Sequence, residues 1–304
     1  MDFSLELAGL KLSNPFMNAS GIMGNTGLLL KRLAEAGMGA VVTKSISLEP
    51  KEGYPNPVLV ELPFGYLNAI GLANPGAEAF VEELKVAKEA KVPVIVSVFG
   101  SSIEEFARVA FKMEEAGADA IELNLSCPHA GGLLTYSQDP RLAYETMARV
   151  KHSVSIPVFA KLSAETNNLV EVGKAVERAG ADGVTAINTV RAMSIDVDLK
   201  RPALTSIYGG LSGPAIKPIA VRCVYQLYEA LSIPVIGVGG ILDHRDVIEF
   251  LLAGAHAVQL GSCLALKGLE VVSSIIEDLR RYLELQGLTS LRDLVGLAHG
   301  DHHA

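Results

Sequence analysis

Tryptophan is absent from this 304-residue sequence, and cysteine occurs three times with no Cys-x-x-Cys pair. An odd, scattered set of cysteines fits a reducing cytosol better than a disulfide framework. It also falls short of the four ligands that an iron–sulfur cluster takes. Basic charge is scarce: 26 Lys and Arg against 34 Asp and Glu leave a net charge of −8. A nucleic-acid partner, which calls for a basic face, is therefore not expected. Long apolar runs are missing too. The stretch "IPVIGVGGIL" (233–242) is about half of the roughly 20 residues that a spanning helix needs. At the N-terminus, "MDFSLELAGLKL" carries Asp2 and Glu6 where a secretory signal would be basic and then apolar. These absences predict a cytoplasmic chain with no membrane span.

What is present is a repeat. The composition, 49% hydrophobic with 29 glycines and 14 prolines, suits a well-filled core joined by short, sharp connections. Short β-rich apolar runs alternate with longer helical patterns, the mark of β-α units and a parallel sheet. Strands are expected at 15–21, 40–45, 93–100, 120–127, 157–163, 183–190, 234–241 and 257–263. The odd-numbered strands open with Pro15, Pro93, Pro157 and Pro234. The even-numbered ones follow an Ala-Gly pair in "AGMGA", "AGADA", "AGADG" and "AGAHA". Glycine there suits a left-handed helix C-cap, and proline can start a strand without forfeiting a needed ladder bond. Eight such strands most simply close into a (β/α)8 TIM barrel, read as a single domain over 1–304. The alternative is an open doubly wound sheet, but no Gly-x-Gly-x-x-Gly turn follows the first strand.

Two connections exceed plain barrel loops, 46–76 after strand 2 and 191–213 after strand 6. Both leave the C-terminal strand ends, the face where barrel enzymes hold their chemistry. Residues 4–14 read as a short hairpin over the other mouth. The tail from about 299, "HGDHHA" with its neighbours, lacks a core pattern and is expected to fray; no native metal site is assigned to its histidines.

Polar residues gather at the predicted strand ends: Asn18 and Ser20, Thr43 and Lys44, Ser97, Asn124 with Ser126 and Cys127, Lys161, Asn188 and Thr189. A lone amide would only satisfy backbone groups, but six such ends converging on one mouth describe a ligand site. The set has no His-Asp pair for serine-type catalysis and no carboxylate cluster for a metal or for glycoside chemistry. After strands 7 and 8, "GVGGI" and "QLGSC" resemble barrel phosphate sites, with tight turns as the structural alternative. Lys44 and Lys161 admit two chemistries. One is a Schiff base in an aldolase-type barrel; the other is stabilisation of negative charge on a reduced flavin. A partly buried ion pair is the structural alternative for either. Cys127, at the end of a strand and before Pro128, reads as a base or nucleophile, whereas Cys223 and Cys263 read as core thiols.

The ordered series "NASG" (18–21), "TKS" (43–45), "NAIGLANPG" (68–76), "NLSCP" (124–128), "AKLS" (160–163), "INTV" (187–190), "GGLSGPAIKP" (209–218), "GVGGI" and "QLGS" resembles the class 1 dihydroorotate dehydrogenases over nearly the whole chain. The resemblance implies FMN and oxidation of dihydroorotate to orotate in pyrimidine synthesis. Hydride would pass from C6 to flavin N5 while Cys127 removes the C5 proton. It assigns Lys44, Asn68, Ile70, Gly71, Leu72, Asn124, Asn188 and Thr189 to the substrate. It assigns Ser20, Lys44, Ser45, Asn124, Lys161, Ile187, Gly213, Gly239, Gly240, Gly261 and Ser262 to FMN, with Lys161 favouring the anionic reduced flavin. Ser97 and His129 stand where many relatives carry Asn. Dihydropyrimidine dehydrogenases share "NLSCPH", so a uracil or thymine reductase is the alternative activity; a non-catalytic phosphate- or flavin-binding barrel is the alternative outside enzymology. The pattern is most like the NAD-linked subtype, with the fumarate-linked one second. That subtype implies FAD and a 2Fe–2S cluster on a partner subunit, in a homodimer or heterotetramer.

Overall fold

The computed structural model describes residues 1–125 and 136–300. Eight parallel strands form its centre: β1 Phe16–Asn18, β2 Val41–Val42, β3 Val94–Val98, β4 Ala120–Asn124, β5 Val158–Leu162, β6 Gly183–Ala186, β7 Val235–Val238 and β8 Ala255–Leu260. Their lateral order is β1-β8-β7-β6-β5-β4-β3-β2. The sheet thus runs round from β1 to β2 as a near-closed (β/α)8 barrel. Helices α1 Gly27–Glu35, α2 Gly76–Lys88, α3 Ile103–Glu115, α4 Pro140–Ser153, α5 Leu169–Arg178, α6 Lys217–Ala230 and α7 His244–Leu252 follow the first seven strands. The short α8, Ser262–Lys267, and the long α9, Glu270–Gln286, follow the last.

The punctuation behaves as its chemistry demands. Pro15, Pro93, Pro157 and Pro234 each lie one residue before a strand and lend only a carbonyl, accepting from Val258, Val41, Ile121 and Val184. Gly37, Gly117, Gly180 and Gly254 follow helix ends with φ of 104°, 102°, 94° and 106°, the left-handed region that glycine enters without a Cβ penalty. Polar caps start several helices. Ser102 Oγ accepts from Glu105 N at 3.2 Å, and Asp243 with Asp246 forms a capping box on α7. Strand 8 is displaced from its expected span of 257–263. It begins at Ala255 and stops at Leu260, because Gly261 turns the chain directly into α8.

The seam between β1 and β2 has little backbone ladder. Gly39 and Ala40 donate to Phe16 O at 2.9 and 3.4 Å. Above them the fully buried Asn18 amide takes the place of a peptide: Nδ2 donates to Val42 O at 2.7 Å and Oδ1 accepts from Val42 N at 2.8 Å. Nδ2 also reaches Ile22 O at 2.9 Å. Asn18 therefore closes the barrel rather than facing a ligand, which corrects its place in the expected polar mouth. Thr43 is structural in the same way, with Oγ1 donating to Lys44 O at 2.8 Å and accepting from Ser97 N at 3.0 Å.

The antiparallel hairpin Leu5–Leu7/Leu10–Leu12 turns through Ala8 and Gly9, both with positive φ. Its four leucines join Met17, Val42, Ile95, Phe159, Ile236 and Ala257 in one apolar cluster, so the hairpin plugs the barrel from its N-terminal side. The two long connections make a second cover. Leu59–Leu62 and Gly65–Asn68 from the first pair with Gly209–Ser212 and Val190–Ala192 from the second, in one four-stranded antiparallel sheet. A further hairpin, Ile195–Asp196/Arg201–Pro202, extends from it and leaves Val197 and Leu199 exposed. The tail packs further than expected. His299 stacks on Tyr225 with ring centroids 3.7 Å apart. Residues 301–304 lie outside the described residues.

Candidate active site

Side chains at alternate positions of a barrel strand point inward, so two steps along a strand climb one layer of the lumen. On that count Ala120, Phe159 and Ala257 belong to the apolar floor, and Glu122, Lys161 and Gln259 stand one layer nearer the C-terminal mouth. Strands β4 and β8 are opposite in the barrel, so the 2.6 Å bond from Gln259 Nε2 to Glu122 Oε2 crosses the lumen. Gln259 turns its Oε1 to Lys161 Nζ at 3.1 Å. Thr185 Oγ1 from β6 donates to the same Glu122 Oε2 at 3.1 Å. Lys161 Nζ lies 3.4 Å from the other carboxylate oxygen, and the side chains of Lys161 and Glu122 are 5% and 1% exposed. A buried ammonium thus stands beneath the mouth, backed by one carboxylate.

Above this layer runs a hydrogen-bonded row from strand end to strand end. Ser20 Oγ and Ser45 Oγ are 3.3 Å apart, and Ser45 Oγ and Ser97 Oγ 2.9 Å. Asn124 Nδ2 donates to Ser45 Oγ at 3.1 Å and Asn188 Nδ2 donates to Asn124 Oδ1 at 3.3 Å. Thr189 N closes the row on Asn188 Oδ1 at 2.8 Å. The row brings together Ser20, Ser45, Asn124, Asn188 and Thr189. Lys44, half-buried, follows β2 beside Gly21: a Cβ there would stand 3.7 Å from Lys44 Nζ.

The cover sheet brings in the next set. Asn68 Nδ2 donates to Gly210 O at 3.2 Å, tying the first insertion to the second. Ile70, Gly71 and Leu72 follow in the same loop, with φ of 74° and 59° at the last two. Buried Asn74 holds that loop: its Oδ1 accepts from Ser47 N and Gly76 N, and its Nδ2 donates to Leu72 O at 2.8 Å.

At the ends of β6, β7 and β8 lie the remaining positions. Ile187 is buried and donates its N–H to Val238 O at 2.9 Å. Gly213, Gly239 and Gly240 all have positive φ, and a Cβ on Gly240 would stand 2.7 Å from Gly213 O. Turn geometry alone accounts for those three glycines. Gly261 is different: at φ −114° a Cβ would meet Ala19 Cβ at 3.5 Å and nothing closer. Little of the protein therefore fills the space over its Cα. Ser262 beside it is buried.

Cys127, expected as the base, lies outside the described residues, as do Ser126 and His129. The other two cysteines are core thiols. Burial pushes the Cys263 thiol up to about 12 and raises that of Cys223. Among the described residues no group of three His, Cys, Asp or Glu side chains could hold a metal ion. No described helix is long and apolar enough to cross a membrane. Reading the sequence missed Glu122, Thr185 and Gln259. Glu122 carried a signal, being a carboxylate in an apolar strand two residues before Asn124 and hence on the same inward face.

A closed barrel with a buried cation under a polar, covered mouth defines a ligand-binding α/β barrel of the enzyme type, with its working face at the C-terminal strand ends. The family model for dihydroorotate dehydrogenase matches residues 3–283, and the chain belongs to that family. Curated relatives named dihydroorotate dehydrogenase B (NAD(+)), catalytic subunit, match it along nearly all of both chains. The protein of Pyrococcus furiosus is 51% identical over 98% of this chain and 99% of its own length. That of Thermoplasma volcanium is 48% identical over 98% of each. That of Methanothermobacter thermautotrophicus is 47% identical over 98% of this chain and 100% of its own.

Proposed function

We propose that this chain is the catalytic subunit of a class 1, NAD-linked dihydroorotate dehydrogenase, oxidising dihydroorotate to orotate in pyrimidine biosynthesis with FMN bound at the barrel mouth. The observation that carries the reading is Lys161, an ammonium 4% exposed and set under a row of amides and hydroxyls. An aldolase lysine needs an unencumbered amine. This one is held by Gln259 and Glu122 instead. The donor set also fits a flavin: a fixed positive charge, alternating donors and acceptors in the row, and open space over Gly261.

When bound, FMN supplies the hydride acceptor. Lys161 would oppose the negative charge that reduction brings, one of the adjustments a protein makes to its cofactor. Ser20, Lys44, Ser45, Asn124 and Ile187 would border the ring. Gly213, Gly239, Gly240, Gly261 and Ser262 would take the phosphate end with backbone N–H groups. Asn68, Asn124, Asn188 and Thr189, with Lys44 and the loop of Ile70, Gly71 and Leu72, would orient the substrate under the cover sheet. Cys127, three residues beyond Asn124 in the sequence, would remove the C5 proton as a thiolate. Among the described residues, neither Cys223 nor Cys263 offers a rival thiol, since both are buried in the core. The relatives' names speak of a catalytic subunit, which supports a second, electron-transferring subunit; FAD and a 2Fe–2S cluster on that partner, and a cytoplasmic location, belong to the same proposal.

Stopped-flow reduction of the bound flavin by dihydroorotate tests the assignment. Cys127→Ala is expected to slow that step by roughly 10²–10⁴-fold, the range for a positioned base, with FMN retained. Reduction at the parental rate would leave the base elsewhere.

A further inference from the structure

We infer that Glu122 is a positioning residue for the redox reaction: it anchors Lys161 and keeps its ammonium charged beneath the flavin site, through the cross-lumen bridge of Gln259. This rests on the reading that a flavin lies against Lys161.

The geometry is specific. Two hydrogen bonds saturate Glu122 Oε2, from Gln259 at 2.6 Å and Thr185 at 3.1 Å. They come from β8 and β6, which flank β7, and hold that oxygen from two strands. Its other oxygen, Oε1, has no hydrogen-bond donor among the described residues and faces Lys161 Nζ at 3.4 Å. Because Gln259 spends its N–H on the carboxylate, its carbonyl oxygen must turn to the ammonium. Glu122 therefore acts on Lys161 twice, directly by charge and indirectly by setting the Gln259 flip. The groups turned toward Lys161 across the lumen are Glu122 from β4 and Gln259 from β8, with neutral Thr185 from β6 on the same carboxylate. Glu122 is the one acidic side chain in ion-pair contact with Lys161 among the described residues.

Burial decides the consequence. A desolvated lysine without a counter-charge sheds its proton, whereas a paired one keeps it. Paired with Glu122, Lys161 presents its field to the flavin before any electron arrives, so reduction needs no proton from solvent at this position. With Glu122→Gln the amide keeps the shape of the site but not the charge. Lys161 is then neutral while the flavin is oxidised. On two-electron reduction its Nζ takes one proton from solvent, the electrons coming from the chemical reductant.

Dye-mediated potentiometric titration with dithionite, run between pH 6 and pH 9 on the FMN-loaded protein, reads this directly. Glu122→Gln should lower the midpoint potential at neutral pH. Its slope against pH should also steepen by one proton per two electrons, roughly 30 mV per pH unit, the tenfold step of a two-electron couple. Glu122→Asp, which keeps the charge, should return the parental slope. Lys161→Met should lower the potential too, and adding Glu122→Gln to it should restore no proton-dependent steepening. If Lys161→Met moves the potential and Glu122→Gln changes neither potential nor slope, the inference fails while the flavin placement stands. If Lys161→Met leaves the potential unmoved, the placement of the flavin fails. FMN stoichiometry of each variant distinguishes loss of fold from these outcomes, and Glu122→Leu, which also removes the charge and should steepen the slope alike, carries the test should Glu122→Gln not fold.

Discussion

Asn18→Ala separates a structural amide from a binding one. The side chain replaces a ladder at the β1–β2 seam, and its loss strips partners from two buried backbone groups, Val42 N and Val42 O, and from the half-buried Ile22 O. An unsatisfied buried group costs about 1–3 kcal/mol. The cavity left by the side chain is walled by these same polar atoms, so water offsets part of that loss. Together the three give a destabilisation of roughly 3–6 kcal/mol, against about 0.5 kcal/mol for an ordinary surface change. For a domain of this size that is a fall in melting temperature on the order of 10 °C. The assay is thermal and urea unfolding of the flavin-free protein, so that ligand stabilisation does not enter. Asn18→Asp should not rescue, because a carboxylate has no N–H for Val42 O and Ile22 O. A melting temperature within about 2 °C of the parent, or a loss seen only with flavin bound, would refute the seam and return Asn18 to the ligand site.

Three further outcomes follow from the same structure. Alkylation of the native protein at pH 8 should modify Cys127 and spare Cys223 and Cys263, whose thiols burial holds protonated; peptide mass spectrometry showing Cys263 modified at a comparable rate would contradict this. Burial pushes the His256 imidazole below its usual value, and its Nδ1 accepts from Val235 N at 3.3 Å, which only the neutral ring can do. The unfolded chain therefore binds the extra proton, and this contribution to stability is complete above about pH 6.5 and declines as pH falls through it. Urea midpoints at pH 7.5 and 5.5 should show that decline, and His256→Gln should reduce it; an equal decline in the variant would assign it to other groups. The purified single chain should reduce an artificial dye well and NAD poorly, and rapid NAD reduction without a second subunit would remove the partner.

The barrel was legible because its signals are local. Each Ala-Gly pair and each leading proline reports one helix end or one strand start, and the backbone answers at those residues. The polar mouth was legible only as a set. Ser20, Ser97, Asn124, Asn188 and Thr189 do meet in one row, through Ser45, which only the family resemblance named, but the same rule swept in Asn18 and Thr43, whose polar atoms serve the backbone. Type and position along a strand do not tell an amide facing a ligand from one stitching a seam; that depends on which neighbouring strand lacks a ladder. Pairing across long separations was not legible at all. The cover sheet joins Asn68 to Gly210, and the lumen joins Glu122 to Gln259, 142 and 137 residues apart. No period in the sequence links them. Strand 8 slipped for a local reason, since "QLGSC" reads as continuous apolar strand until Gly261 is seen to end it.

Anaerobic mixing of the FMN-loaded protein with substrate tests the central claim most directly. The account predicts that (S)-dihydroorotate bleaches the flavin absorbance to completion, while dihydrouracil at the same concentration leaves it oxidised. Bleaching by dihydrouracil and not by dihydroorotate, or a purified protein that takes up no flavin, would contradict it.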